Sequence, residues 1–287
     1  MKKYNLPNFI ISTFILFFVL SCVIPILLVL SISLTEQAAI NQYGFRLIPP
    51  QFSTRAYELL FATSSIYRSY GVSIFTTVIG TFLAVLITIM CAYTLNNKKV
   101  AFRNYFSMFF LFSMLFTTGL VPWYFMCQTL GLVDNILALI IPTMLFNPFN
   151  MYLAKNYIKS VPDSLMESAK IDGANDFIIL FKIYLPLCKP VIATLILFYG
   201  LGYWNNWMNA IMLVDTPTLY PLQFILYKMQ SDIAMMTQIQ GNTSLANLPT
   251  DSLKMATVII TIGPIILLYP FLQKYFIKGL TIGAVKG

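Results

Sequence analysis

ESAKIDGANDFIILFKIYLP, residues 167–186, opens with charged and small residues and closes on an apolar run ending in Pro186. Just before it, Pro162 and Asp163 suit a helix start. The carboxylate can accept from free backbone N–H groups, and proline fits a first turn. A short helix is expected over 164–172. Gly173 can take positive φ and turn the chain sharply. Asn175 and Asp176 can cap a second helix from Phe177, which Pro186 and Pro190 interrupt. The segment therefore reads as helix, turn, helix, standing between two long apolar stretches.

Those flanks define the class. The chain has 287 residues, 58% hydrophobic and 10% charged. A soluble domain carries roughly 25% charged residues, so too few charges exist to cover a water-facing surface. Apolar runs of about 20 residues, the length a membrane helix needs, recur. The expected fold is all-α and polytopic, with six membrane spans near 9–33, 70–95, 105–127, 135–157, 190–213 and 255–277. Residues 1–287 read as one membrane domain. The first apolar run continues past Cys22 to Leu30, longer than the core of a cleaved signal. Pro142 and Pro148 make the fourth span the least regular, with a kink expected.

Lys and Arg in the short loops set the orientation. With the N-terminus inside, Lys2, Lys3, Lys98, Lys99, Arg103, Lys155, Lys159, Lys170, Lys182, Lys189, Lys274, Lys278 and Lys286 are cytoplasmic. Only Arg46, Arg55, Arg68, Lys228 and Lys254 are outside. Both termini and the loop 160–189 then lie in the cytoplasm. The net charge of +8 is read as this topology signal, and nucleic acid is not an expected partner. Membrane lipid is. Residues 222–236 in the second long outer segment are expected to form a short surface helix.

Chemistry is sparsely equipped. Histidine is absent, and the four cysteines lie singly in or beside apolar stretches, which suits small buried hydrophobes rather than a metal site or disulfide. No phosphate-binding G-x-x-x-x-G-K-[ST] loop occurs, so the chain is not expected to hydrolyse ATP.

Glu167, Ala169, Gly173, Ile183, Leu185 and Pro186 stand at the spacing of a loop found in the membrane permeases of ATP-driven (ABC) importers. The pattern there is Glu-Ala-Ala, three residues, Gly, nine residues, Ile-x-Leu-Pro. The one departure is Ser168 in place of Ala. Glu-Ser-Ala-x-x-Asp-Gly-Ala resembles the carbohydrate branch. The tail Gly283-Ala284-Val285-Lys286-Gly287, and Gly119-Leu120-Val121-Pro122 with Leu130-Gly131-Leu132, resemble its complex-saccharide members. Thr118 stands where that branch often has Gly.

The resemblance implies a six-helix permease of the type I importer fold in the bacterial cytoplasmic membrane. It implies a second, homologous permease chain, two ATPase subunits that hold the ATP and magnesium, and an extracytoplasmic sugar-binding protein. No cofactor belongs to this chain. Glu167, Ser168, Ala169, Asp172, Gly173 and Ala174 would couple to the ATPase, with Glu167 anchoring a pairing and the two alanines permitting a close fit. The cargo would be an oligosaccharide or a polysaccharide fragment.

Span five offers a polar aromatic patch: Tyr199, Tyr203, Trp204, Asn205, Asn206, Trp207 and Asn209. Uncompensated amides are costly in lipid, so these residues should face protein or water. Asn can exchange hydrogen bonds with sugar hydroxyls, and aromatic rings can stack on sugar faces. Equally, the amides can lock helix against helix. Asn147 and Asn150 present the same choice on span four. A permease for a polyol or glycerol phosphate ester and an ion-driven secondary transporter are the rival readings. The first would favour Arg or Lys inside the spans and the second a carboxylate there.

Overall fold

The computed structural model describes residues 6–62, 64–116, 118–142, 144–239 and 249–266. The expected Gly-Ala-Val-Lys-Gly tail and the end of the sixth span lie outside them. All regular elements among the described residues are helical, apart from one isolated bridge between Thr35 and Phe52.

The helices are α1 Leu6–Ser33, α2 Gln37–Tyr43, α3 Arg55–Phe61, α4 Ser64–Asn96, α5 Arg103–Leu115, α6 Leu120–Thr129, α7 Pro148–Ile158 and α8 Asp163–Ile171. Then follow α9 Asp176–Ile178, a π-helical turn Ile179–Tyr184, α10 Leu185–Leu187, α11 Lys189–Trp204, α12 Met208–Leu213 and α13 Leu222–Ile239. A last helix, α14, covers 250–266.

The chain divides into two compact units. Of the described residues, one unit comprises those within 6–67 and 226–264, the other those within 68–225 and 265–266. In the first, α1 is apolar on every side and exposed along its first two-thirds, the pattern of a helix solvated by lipid. Near its end the chain turns polar and buried. The Ser33 and Tyr57 hydroxyls share a hydrogen bond of 2.8 Å. Gln37 donates to Asp251 and accepts from its backbone N–H, each at 3.0 Å.

The second unit packs the lower half of α4, α7, the π-helical turn and α11 around Ala84, Tyr93, Met151, Ile158, Ile179, Tyr184 and Leu195. A separate apolar cluster joins Cys127, Leu139, Leu213 and Phe224.

Two continuous helices among the described residues are long and apolar enough to cross a membrane, Phe9–Ser33 and Ser64–Asn96. They agree with the first two expected spans. A third candidate is a bent pair, Asp176–Leu187 and Lys189–Trp204, meeting at 85°. The sequence reading expects a continuous helix over 105–127 and a kinked one over 135–157, and here the structure differs. The first breaks between Leu115 and Leu120, because Pro122 has no N–H for the Thr118 carbonyl. The second holds only a 3₁₀ turn, Ile136–Leu139, before α7. Pro148 starts a new helix rather than kinking an old one. Asn147 caps it, its side chain accepting from the Asn150 N–H at 3.2 Å.

Residues 190–213 also part, between Trp204 and Met208. The surface helix expected over 222–236 forms as α13, but its first turns are not superficial: Leu222, Phe224 and Leu226 are buried.

Candidate coupling surface and membrane interior

The helical hairpin forms as its residues dictate. Helix α8 starts after Pro162 and ends at Ile171, with Asp172 as C-cap. Gly173 has φ +81°. Its N–H donates to the Lys170 carbonyl at 3.1 Å, and the Ala174 N–H donates to the Ala169 carbonyl at 2.9 Å. This pair of bonds, five-to-two and six-to-one, is the Schellman ending of a helix. Asn175 then caps α9, its side chain accepting from the Ile178 N–H at 2.9 Å.

Beyond the cap, Pro186 cannot donate to the Lys182 carbonyl, and the helix widens into a π turn before it. Pro190, in the first turn of α11, fits the break at Cys188 and the 85° elbow.

The hairpin shows two faces. Glu167, Ser168 and Asp172 are exposed. Ile171 is 86% exposed and Phe177 66%, with Leu165 and Phe181 exposed beside them. Large apolar side chains are thus exposed on a mostly polar projection. Ala169 and Ala174 differ from expectation. They face the chain's own core, Ala169 buried and Ala174 packed against it. Their small size serves the hydrophobic contact that accompanies a Schellman turn, so they do not line the outer face.

Sequence reasoning missed how the hairpin is held. Asp176 accepts from the Tyr93 hydroxyl at 3.1 Å and pairs with Lys170 at 3.1 Å. The hydrogen bond from Lys170, with that of Tyr93 added, holds the Asp176 carboxyl below the usual carboxylate range. The Tyr93 and Tyr184 rings meet edge-to-face at 5.1 Å. Lys98 bridges to Asp163 at 2.9 Å, an exposed pair of small energetic weight. Tyr93 and Lys98 thus fasten both limbs of the hairpin to the end of α4. Lys98 was legible only as a topology charge, and nothing local in the sequence pairs Tyr93 with Asp176.

The polar patch of span five is brought together, and it turns inward. Tyr199, Tyr203, Trp204, Asn206 and Asn209 are buried; Asn205 is exposed and Trp207 half-buried. The Tyr199 hydroxyl bonds Thr88 Oγ1 at 2.7 Å and accepts from the Asn147 N–H at 3.1 Å. Tyr203 donates to the Ile140 carbonyl at 2.8 Å. Asn206 reaches the Leu139 carbonyl at 3.4 Å, and Asn209 reaches those of Ala138 and Pro142 at 3.3 and 3.0 Å. These donors hold backbone carbonyls of the broken fourth segment, where a buried carbonyl needs a partner. Asn205 accepts from Gln223 at 3.0 Å. The ring of Trp204 lies 6.4 Å from that of Tyr70.

A loop clasp joins the turn after α6 to the loop after α12. Asp134, with φ +53°, accepts from Thr216 Oγ1 and the Thr216 N–H at 2.7 Å each, and from the Asp215 N–H at 3.0 Å. The Thr216 hydroxyl foremost, then its N–H, holds the carboxyl below its ordinary value. A lowered native value stabilises the fold above the unfolded value, about 3.9, and the contribution is lost as pH falls through the native one. Asp134→Asn keeps a residue suited to positive φ but removes the charge. Its melting temperature should lie below wild type at pH 7, and the gap should close towards pH 3, as measured by scanning fluorimetry.

These features define a helical membrane protein with an exposed, braced hairpin. The chain belongs to the family described as binding-protein-dependent transport system inner membrane component, whose model matches residues 84–282. It is 39% identical to the polygalacturonan/rhamnogalacturonan transport system permease protein YtcP of Bacillus subtilis, over 99% of this chain and 100% of that protein. It is 40% identical to protein LplC of Bacillus subtilis, over 92% and 90% of the two. Among solved structures it superposes with TM-score 0.83 and 29% identity on a bacterial ABC transporter involved in the import of the acidic polysaccharide alginate, covering 96% of this chain and 100% of that one. It is a membrane permease component of an ABC importer, not an ATPase.

Proposed function

We propose that this chain is one of two permease subunits that carry an oligosaccharide, released from a polysaccharide, into the bacterial cytoplasm. The observation that carries the reading is the braced hairpin with Ile171 and Phe177 exposed at its tip. Such a tip fits an apolar groove on an ATPase subunit, with Glu167 and Asp172 placed to meet basic groups around it. The chain crosses the membrane six times, some crossings being broken helices, with both termini and the 160–189 loop inside. A homologous permease, two ATPases and an external binding protein complete the assembly.

The binding protein presents cargo at the outer face. ATP-driven closure of the ATPases pulls the hairpins, and the spans rock from inward-open to outward-open. Hydrolysis resets them. The cargo class follows that named for the similar polygalacturonan/rhamnogalacturonan transport system permease. The patch from Tyr199 to Asn209 positions the wall of the path rather than gripping sugar with every amide, since most of its donors already hold carbonyls.

The test is reconstitution of the full assembly in proteoliposomes. Oligogalacturonides with binding protein should raise ATP hydrolysis several-fold and accumulate inside. An assembly that forms but responds to no saccharide in a panel would remove the cargo assignment. Failure of any ATPase to bind would remove the coupling role.

A further inference from the structure

Helix α4 runs unbroken from Ser64 to Asn96, and it touches both arms of the bent pair that follows the hairpin. Near its C-terminal end the Tyr93 hydroxyl donates at 3.1 Å to Asp176, the first residue of the first arm. The Tyr93 ring meets that of Tyr184 on the same arm. Earlier on α4 the buried Thr88 hydroxyl shares a bond of 2.7 Å with that of Tyr199, which belongs to the second arm. Earlier still, the Tyr203 ring packs so tightly on Gly80 that an added Cβ would stand 2.5 Å from its Cζ. At 1.5 Å per residue, Gly80 and Tyr93 lie about 20 Å apart along the helix.

The three pieces form a frame: two arms meeting at 85°, with α4 across their open side. The angle in such a frame changes only if a side bends or a tie opens. The ties differ in kind. Those to the second arm are buried. The hairpin end of the first arm is tied by one hydroxyl, for the other partner of Asp176 is Lys170, which belongs to the hairpin itself. The Lys98–Asp163 pair lies past the end of α4 with both side chains mostly exposed, and holds α8 weakly. We propose that Tyr93 is a positioning residue for import: its hydroxyl closes the frame at the hairpin, so that hairpin, elbow and α4 move as one body when the ATPase pulls. This rests on the import reading above. Without that bond the hairpin end of the first arm swings while α4 stays, and the ATPase completes its cycle with less movement of the spans.

The measurement is trigalacturonate accumulated per ATP hydrolysed by the reconstituted assembly, a ratio that a loss of folded protein alone does not move. Tyr93→Phe keeps the ring against Tyr184 and leaves Asp176, its side chain 57% exposed, to water and Lys170, so the assembly should form. Its ratio should fall at least about fivefold, the scale of one hydrogen bond to a charged group. Asp176→Ala should fall alike, and the double variant no further. Asp176→Asn retains an acceptor for Tyr93 and should stay within about twofold of wild type. An unchanged ratio in Tyr93→Phe would overturn the proposal. So would uptake and hydrolysis falling together with the melting temperature, which would make the hydroxyl a packing element. An Asp176→Asn ratio as low as that of Asp176→Ala would overturn it too, giving the role to the Lys170 pair. Wild type that hydrolyses ATP yet accumulates no saccharide of any kind would remove the import reading, and this inference with it.

Discussion

Gly173→Pro should uncouple the assembly without dismantling it. Proline fixes φ near −65° and has no N–H, whereas Gly173 sits at φ +81° and donates to Lys170. Both bonds of the Schellman turn are lost, a local cost of about 3 kcal/mol or more. The core beneath is anchored independently through Ile179, Tyr184 and Leu195, so the membrane part should still fold. Cargo-stimulated ATP hydrolysis is expected to fall at least about tenfold, while basal hydrolysis and co-elution of the subunits persist. Gly173→Ala keeps the N–H and meets open space. Its cost is the strain of positive φ, roughly 1–2 kcal/mol, so its defect should be intermediate. Normal stimulation in the proline variant would show that the turn does not transmit closure.

Gly80→Ala should be the most destabilising small substitution in the membrane interior. A Cβ there would stand 2.5 Å from Cζ of Tyr203 and 2.6 and 2.8 Å from the two Cε atoms. The ring cannot simply swing aside, because its hydroxyl holds the Ile140 carbonyl at 2.8 Å. Overpacking costs about 1–3 kcal/mol, and the broken bond adds about 1 kcal/mol. Together they exceed the gain of about 1 kcal/mol from replacing glycine in a helix. Tyr203→Leu should make Gly80→Ala far less harmful, a non-additivity characteristic of touching residues. The readout is the denaturation midpoint of the four variants in one detergent. Strict additivity would mean that the close approach of α4 and α11 is not maintained.

The hairpin was legible because its determinants are local. Proline, glycine and asparagine at 162, 173 and 175 act on their own backbone, and each does in the structure what its chemistry requires. The apolar runs were legible as membrane segments but not as broken ones. In lipid the hydrophobic period that separates continuous from interrupted helices is missing, since α4 and α11 are apolar on all sides. The polar patch was found by its cost in lipid. Its partners were not, because Tyr203 and Asn209 bond to carbonyls 63 to 71 residues earlier in the chain. The inward turn of Ala169 escaped for a similar reason. Smallness permits close packing but does not say against which neighbour.

The elbow at Cys188 makes the paired helices a bell crank. One arm, Asp176–Leu187, ends at the hairpin, and the other, Lys189–Trp204, ends at the aromatic and amide cluster. At 1.5 Å per residue the second arm is about 24 Å long. A tilt of about 10° about the fulcrum would therefore carry Trp204 through about 4 Å. The near-right angle also redirects the stroke. A pull along one arm becomes a sideways sweep at the tip of the other, where Asn206 and Asn209 hold the interrupted segment by its carbonyls.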